Sequence, residues 1–523
     1  MNDKTEKNVN AVAEHSYFQN ECQQPEWQTT GMSGECAAAY CKSSIKPEYK
    51  RADCVLALIT AVMSVFFVRL VMFVKLGLFA TVFSVVMITT EILYMKAKDI
   101  RVNGINKVIA GVLYAFGTVF AITDNTLVKT LDLLFMIMLN AYFVYSAGAE
   151  KNDIEDFLPF ALIMALFSYP FDKFGAQAKI TSDRLSKSSC AKNFKSIIAG
   201  LFLAVPLTLV VGALLMSADD GVKKIMNLFS SNVMSEGVWS WLGYLLLAVP
   251  VSFYIFGMLY RNAVRDEIVE LDSEQCAQSM KDFRIIGNIV YYTAVTPIII
   301  LYVIFFFSQA GYFLSAFKGT LPEAFSYSEY ARKGFFELCI IAVINLAVII
   351  FMNLTAKKSG NEKTTALKVY TSVLSVSTLI LIATAMSKMI MYIMEYGLTA
   401  LRVYTTWFML LCAYIFVLIL VKQFKPNLRL AKCISTGCVI LFALLCFSRP
   451  ESLITKYNIE MYNAGYLSEL DVSAIKEMSD DALLTAVNEG VIDAESAKSA
   501  SSYCHDNETV NQLNLSSLLL NVK

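Results

Sequence analysis

The sequence predicts an all-α, polytopic membrane helix bundle with about 11 spans, a disordered N-terminal tail and a small C-terminal helical segment. Of the 523 residues, 56% are hydrophobic and 17% are charged, and the mean hydropathy is +0.53. Uncharged runs close to the length that crosses a bilayer as a helix, about 20 apolar residues, recur along the chain. This composition is typical of an integral membrane protein and not of soluble domains.

The chain begins with a polar stretch, residues 1–50, which is rich in Gln, Asn and Ser and shows no helical periodicity. This composition predicts a disordered tail and not a signal peptide. The tail holds His15 and three cysteines, but their spacing lacks the paired short gaps of zinc sites. We therefore predict no metal site and no cofactor.

Twelve apolar runs follow the tail and are the candidate spans. They lie at 54–74, 76–95, 104–123, 127–147, 157–172, 196–216, 238–260, 285–309, 334–354, 368–391, 403–421 and 433–448. The weakest is 157–172, because it is short, follows three acidic residues and ends at Tyr169-Pro170-Phe171-Asp172.

The distribution of Lys and Arg decides between 11 and 12 spans. Basic residues that flank spans collect on the cytoplasmic side. They do so here if 157–172 is a re-entrant or interfacial helix, and the bias is lost if that run crosses. We therefore predict 11 spans within a transmembrane domain at 51–448, with 12 as the alternative. The N-terminus is then cytoplasmic, and the tail at 449–523 is extracytoplasmic.

The C-terminal tail has helix signals of its own. Asp471 and Ser479 are of the N-cap type, and Gly465 and Gly490 are of the helix-stop type. Apolar residues between them fall at helical spacing. They are too few for a comfortable independent core. We expect two to four short helices that lean on the outer loops, including residues 319–333.

A short loop leads into the most informative helix of the chain, within residues 319–354. Ser326 and Glu329 form a capping box, and Phe325 with Tyr330 forms a hydrophobic staple, so a helix should begin at about Tyr327. We predict that the motif in this loop belongs to the functional outer face. Its residues are Pro322, Glu323, Ser326, Glu329, Tyr330 and Arg332.

Two segments also carry a family resemblance. Residues 321–338 resemble the signature of a bacterial multi-pass membrane family, domain of unknown function 4173, which is related to the 4153 group. Residues 457–462, followed by Leu470-Asp471, are similar to a second segment of that family, placed after its last span. The resemblance implies a multi-pass architecture and a bacterial plasma membrane, and it implies no reaction.

Polar residues inside the spans are the candidate pathway residues. Asp132 and Asn140 are eight residues apart, as are Glu337 and Asn345, and this spacing gives each helix one polar stripe. Ionisable groups in a bilayer are costly and face protein or water. The two acids either form structural ion pairs, with Lys388 as a candidate partner, or line a hydrated cavity near the outer face.

Three function classes follow from these residues. Transport or flux of an ion, lipid or small solute is favoured by the embedded acids. A non-catalytic scaffold or sensor is the second hypothesis. A membrane enzyme that uses carboxylates is the third. No span contains His, and the common hydrolase and nucleotide-binding motifs are absent from the sequence, so we assign no catalytic residue.

The expected partners follow from charge and hydropathy. The lipid bilayer is the main one. Lys+Arg and Asp+Glu number 44 each, so the net charge does not indicate a nucleic acid. Residues 261–284 mix acids and bases along a helical stretch. That loop is either a solvated, salt-bridged helix or a docking surface for a cytoplasmic partner.

Overall fold

The computed structural model describes most of the chain from residue 49 onward. The described residues are 49–73, 75–148, 162–185, 236–263, 288–318, 335–356, 361–501 and 513–522, with Thr208, Val211 and Leu215 between them. Over these residues the elements are helices, and no strand is present. Ten helices are long and apolar enough to cross a membrane. The predicted all-α membrane bundle is therefore confirmed.

Four membrane helices come first and pack together. They are α1 (Arg51–Phe67, continued by a π-helical turn at Val68–Met72), α2 (Leu78–Ala97), α3 (Gly104–Gly117, continued by Val119–Ile122) and α4 (Thr126–Gly148). Asparagine caps fix two of the starts. The Asn103 side chain accepts a hydrogen bond from the Asn106 backbone N at 2.9 Å. The Asn125 side chain accepts one from the Val128 backbone N, also at 2.9 Å.

The described part of the weakest predicted run, from residue 162 onward, forms the first member of a short helical pair. Helix α5 (Met164–Ser168 with Tyr169–Asp172) and helix α6 (Ala176–Leu185) are joined by a turn and pack on α7 (Glu236–Ala263). Neither α5 nor α6 is among the ten span-length helices.

Two contacts hold this pair against its neighbours. An ion pair joins Arg261 Nε to Asp172 Oδ2 at 2.5 Å. Buried Gln177 donates to the Ala57 carbonyl at 2.8 Å and to Ser252 Oγ at 2.7 Å. The pair is therefore fixed to α1 as well as to α7.

Five more membrane helices form the second half of the bundle. They are α8 (Asn288–Lys318), α9 (Phe335–Thr355), α10 (Asn361–Tyr396), α11 (Ala400–Phe424) and α12 (Leu430–Phe447). An apolar cluster joins α8 to α11, and fully buried Ala342, Leu374 and Phe416 belong to it. Apolar packing of this kind is the main contact between these helices.

The ten helices coincide with ten of the twelve predicted runs. The run at 196–216 lies outside the described residues, apart from three helical positions. The predicted N-terminal tail lies outside them up to residue 48, and most of the 261–284 loop does so as well. The span count for the whole chain therefore stays a prediction.

In the described part of the chain after α12, residues 448–501 and 513–522, there are five short helices, where two to four were expected. They are α13 (Pro450–Asn463), α14 (Val472–Glu477), α15 (Asp480–Asn488), α16 (Ala494–Ala500) and α17 (Leu515–Val522). A small core of their own includes Ile475, Leu483 and Leu520. We call α13–α17 the C-terminal segment.

The predicted start and stop signals of this segment are correct in position. The Asp471 side chain accepts from the Ala474 backbone N at 2.9 Å. Gly465 and Gly490 end their helices with φ of +78° and +72°, a conformation that favours glycine. Ser479 stands at the N-cap of α15, but its hydroxyl makes no cap hydrogen bond.

The C-terminal segment rests on connections between membrane helices. Leu78 N donates to the Leu513 carbonyl at 2.9 Å, and Asn514 Nδ2 donates to Asp124 Oδ1 at 2.9 Å. Leu398 N donates to Asn458 Oδ1 at 2.7 Å. The connections near residues 78, 124 and 398 therefore lie at one end of the bundle, which we call the docking end. The predicted contact with residues 319–333 lies outside the described residues.

Candidate functional site

One face of α4 carries polar residues into the protein interior. Lys129 and Asp132 are 4% and 0% exposed, and Asn140 follows two turns later on the same face. Apolar Met136 lies between them and is also buried. The predicted stripe of Asp132 and Asn140 is therefore present, and it faces protein and not lipid.

Asn140 meets a second intramembrane acid, Glu91 of α2. Its Nδ2 donates to Glu91 Oε1 at 2.7 Å. Glu91 is 0% exposed. Its second oxygen, Oε2, and the Asn140 Oδ1 atom are both buried without a hydrogen-bond partner. An acid and an amide therefore form a half-satisfied pair in the middle of the bundle.

Asp132 is more isolated. Neither of its buried carboxylate oxygens has a hydrogen-bond partner. Aromatic rings lie nearby on the adjoining turns and helices, with Phe135 packed against Phe116 and Phe442 at centroid distances of 4.7 and 5.1 Å. Of the two alternatives for Asp132, the ion pair with Lys388 is therefore not formed in this structure. Lys388 is half-buried on α10.

A third polar level lies near the other end of α4. Ser146 Oγ donates to Asn106 Oδ1 at 2.7 Å, and the buried Asn106 Nδ2 has no partner. From Asp132 to Ser146 the helix rises about 21 Å, at 1.5 Å per residue. We call Asp132, Glu91, Asn140, Asn106 and Ser146 the polar column.

Each level of the polar column contains at least one buried polar atom without a partner. Leaving such an atom unsatisfied costs about 1–3 kcal/mol, and native proteins avoid that cost unless water, an ion or a function accounts for it. Carboxyl and amide groups both accept hydrogen bonds, and a protonated carboxyl also donates one. The column therefore offers unsatisfied donor and acceptor atoms at three levels of the bundle.

Ion pairs flank the polar column at both ends. At the docking end, Lys129 Nζ lies 3.2 Å from Asp124 Oδ1 and donates to the Leu76 carbonyl at 2.5 Å. At the opposite end, Lys98 Nζ lies 2.6 Å from Asp53 Oδ1. The Tyr94 hydroxyl also donates to the Asp53 carboxylate, at 2.8 Å. Tyr94 lies one turn from Glu91 on α2.

The second predicted stripe does not form a site with the first. Tyr302 donates to Asn345 Oδ1 at 2.7 Å, and Asn345 Nδ2 donates to Thr378 Oγ1 at 2.8 Å. Asn345 therefore ties three helices together and has its amide atoms occupied. Glu337 lies in the first turn of α9 and is exposed. The pairing of these two residues in one pathway is not supported by their positions.

The six residues of the predicted outer-loop motif lie outside the described residues. They are Pro322, Glu323, Ser326, Glu329, Tyr330 and Arg332. Sequence reasoning also missed Glu91. The signal was available, because Glu91 is the single charged residue in the run 76–95. A lone acid in the middle of an apolar run is a functional candidate by itself.

A second cluster of charges joins the docking end to the C-terminal segment. Asp481 is 0% exposed and accepts from Arg449 Nη2 at 2.9 Å, from the Asp124 backbone N at 3.2 Å, and from the hydroxyls of Thr123 and Ser516. Arg449 occupies the turn between α12 and α13 with φ of +52°, which is uncommon for a residue other than glycine.

Asp480 beside this cluster makes the docked segment sensitive to pH. Burial, and then the neighbouring charge of Asp124, raise the pKa of Asp480 to about 6, although Ser501 donates a hydrogen bond to it. An acid whose pKa is raised in the folded state contributes its full stabilisation at pH values below its ordinary pKa. That contribution is lost as the pH rises through the folded-state pKa, here about 6.

We therefore expect the C-terminal segment to unfold at a lower temperature at pH 7.5 than at pH 5, because Asp480 must ionise in a buried position at the higher pH. Thermal unfolding of the purified protein at both values measures this difference. Asp480→Asn removes the titrating group and should reduce the difference. An unchanged difference in the variant would assign the pH dependence to other groups.

Comparison with protein families matches residues 110–489 to the family described as Domain of unknown function (DUF4153). Comparisons with curated proteins and with solved structures gave no match. The family match covers α4 with Asp132, Asn140 and Ser146 of the polar column, begins after Glu91 and Asn106, and reaches into the C-terminal segment through α15. In this chain the described residues form a multi-helix architecture. Because the match extends over more than half of the chain, the protein is a member of the DUF4153 family, a family of unknown function.

Proposed function

We propose that this protein moves protons across the membrane, alone or coupled to a solute, along the polar column. The observation that supports this proposal is the full burial of Glu91 and Asp132, each with at least one carboxylate oxygen that has no hydrogen-bond partner. Acids inside transmembrane helices commonly mark ion pathways and proton relays.

The chemistry of the two acids fits alternate protonation. A buried carboxylate without a cation is costly, so the neutral acid is the favoured resting form. A water molecule bonded to its unpartnered oxygen would accept or deliver the proton. Lys129 lies one turn from Asp132, and Tyr94 lies one turn from Glu91. These two residues place polar groups next to the acids, toward the two ends of the polar column.

Isosteric replacement of the acids tests the proposal. Glu91→Gln and Asp132→Asn keep the side-chain shape and remove the exchangeable carboxyl proton. In proteoliposomes with an imposed pH gradient and a pH-sensitive dye inside, we expect each variant to reduce proton flux by about tenfold or more. An effect of that size corresponds to about 1.4 kcal/mol.

Glu337→Gln is the matched control, because this acid is exposed at the start of α9 and lies outside the polar column. Its flux should equal that of the unsubstituted protein. If Glu91→Gln and Asp132→Asn are folded and conduct as well as the control, the polar column is structural.

A scaffold or sensor is the second candidate function. It is favoured by the C-terminal segment, which is fastened through polar contacts to three connections of the bundle, near residues 78, 124 and 398. A signal received by that segment would reach the helices that carry the polar column. Absence of proton flux under every gradient, with an intact docked segment, would favour this candidate.

The cellular placement also belongs to this proposal. We place the protein in a bacterial plasma membrane, within the group related to domain of unknown function 4173, with the docking end outside. The bias of Lys and Arg toward the other side supports this orientation. A membrane-impermeant thiol reagent, applied to whole cells, should label Glu489→Cys and leave Lys425→Cys unlabelled. The reverse pattern would invert the orientation.

A further inference from the structure

A cavity of about 450 Å³ lies beside the polar column. Helices α1, α2, α4 and α7 form most of its walls, with Phe120 of α3, and aromatic rings come from Phe171 of α5 and Phe174 of the α5–α6 turn. Representative lining residues are Val71, Ala80, Met136, Phe174, Val251 and Met258. A cavity of this size lies within the range of natural ligand sites, about 300–1,000 Å³.

The lining is mostly hydrocarbon, and the hydroxyl donors of its polar side chains are engaged, while the Asn140 amide keeps a second N–H and an unpartnered Oδ1. Ser84 Oγ donates to the Ala80 carbonyl at 2.8 Å, and Tyr254 donates to the Leu166 carbonyl at 3.0 Å. Asn140 Nδ2 is engaged with Glu91. A hydrated solute would lose hydrogen bonds to water on entering and gain few in return. The cavity therefore favours an apolar occupant.

The cavity opens sideways at the depth of the membrane. Two of its lining residues, Ile137 of α4 and Phe171 of α5, are 42% and 57% exposed. Along α2 the lining runs from Ala80 to Ile88, a rise of about 12 Å at 1.5 Å per residue. The lining therefore extends in the direction of the membrane helices, which is also the direction of the surrounding lipid chains.

We propose that this cavity binds one acyl chain of a bilayer lipid, which enters between α4 and the α5–α6 turn. The lipid is the occupant because the opening lies on a surface of membrane helices, where acyl chains are the surrounding solvent. Binding requires the apolar walls and not the acids, so this proposal stands or fails independently of proton movement.

Photocrosslinking in vesicles tests the proposal on the full-length protein. The probe is a phosphatidylcholine with a diazirine in one acyl chain, diluted into dioleoyl phosphatidylcholine vesicles. Mass spectrometry of peptides then locates the adducts. We expect adducts on cavity residues such as Met87 and Met258, saturating as the probe fraction is raised. Adducts confined to residues outside the cavity would overturn the proposal.

Two matched pairs of variants define the site. Val251→Phe fills the cavity, whereas Val249→Phe adds the same ring to the exposed side of α7. Ile137→Trp narrows the opening, whereas Met138→Trp places the ring beside it on exposed surface.

Val251→Phe and Ile137→Trp should each lower the yield of cavity adducts by about tenfold, a loss of about 1.4 kcal/mol in binding. Val249→Phe and Met138→Trp should leave that yield unchanged. Equal adduct yields in both members of the Ile137 and Met138 pair, whose positions are exposed and tolerant, would also overturn the proposal. Glu91→Gln should leave the adducts unchanged, which separates this result from the flux test.

Discussion

Replacement of Asp481 by alanine is expected to release the C-terminal segment from the membrane helices. The carboxylate is fully buried and accepts hydrogen bonds from Arg449, from the Asp124 backbone and from two hydroxyls. Removal of one partner of a buried pair leaves the other charge uncompensated, at a cost of about 3–5 kcal/mol. Hydrogen exchange of α13–α17 should increase strongly while exchange of α9–α11 stays low.

Glu477→Ala is the control for this experiment. Glu477 is an exposed acid of α14 in the same segment, and surface substitutions of this kind change stability by about 0.5 kcal/mol or less. If Asp481→Ala exchanges no faster than Glu477→Ala, the docking end is held by other contacts.

Gly257→Ala is expected to push the short helix α5 away from α7. A Cβ atom at position 257 would lie 2.2 Å from the Pro170 carbonyl oxygen, and a backbone atom cannot turn aside as a flexible side chain can. Overpacking of this kind costs about 1–3 kcal/mol. The melting temperature of the detergent-solubilised protein should fall, and the ion pair of Arg261 with Asp172 should weaken with it.

Gly243→Ala in the same helix is the matched control. A Cβ at position 243 meets no atom within 4 Å, and alanine exceeds glycine in helix propensity by up to about 1 kcal/mol. The control should therefore melt at the same temperature as the unsubstituted protein or slightly higher. Equal melting of the two variants would mean that α5 does not press against α7 at this point.

Hydropathy predicted the membrane helices and capping predicted helix starts in the C-terminal segment, because both signals are local. A run of about 20 apolar residues suffices to identify a candidate span, and asparagine or aspartate fixes a helix start without reference to other helices. Asp471 is such a case, and its cap hydrogen bond is present. Whether the run at 157–172 crosses the membrane stays a prediction, since it rests on the charges around the run.

The candidate site was predictable only in part, because it depends on which helices are neighbours. In a membrane, lipid and protein interior are similarly apolar, so hydropathy does not reveal the contact face. Asp132 and Asn140 lie on one helix, and their common face could be predicted. The partner of Asn140, Glu91, lies on another helix.

The second stripe shows the same limit. The spacing of Glu337 and Asn345 suggested one functional face. Glu337 is instead at the exposed end of its helix, and Asn345 is engaged with Tyr302 and Thr378. Tertiary contacts of this kind have no signature in a single run of residues.

The distant partners of Asp481 impose an order of assembly on the chain. The hydroxyl of Thr123 that reaches this carboxylate belongs to a residue synthesised 358 positions earlier. At about 5–20 residues per second, the ribosome needs roughly 20–70 s to make the intervening chain. During that interval the early helices are in the bilayer with the connection at Thr123 uncovered. Completion of the molecule therefore waits for its last helices, and a chain that stops short of α15 leaves that connection open to proteases and to other nascent proteins.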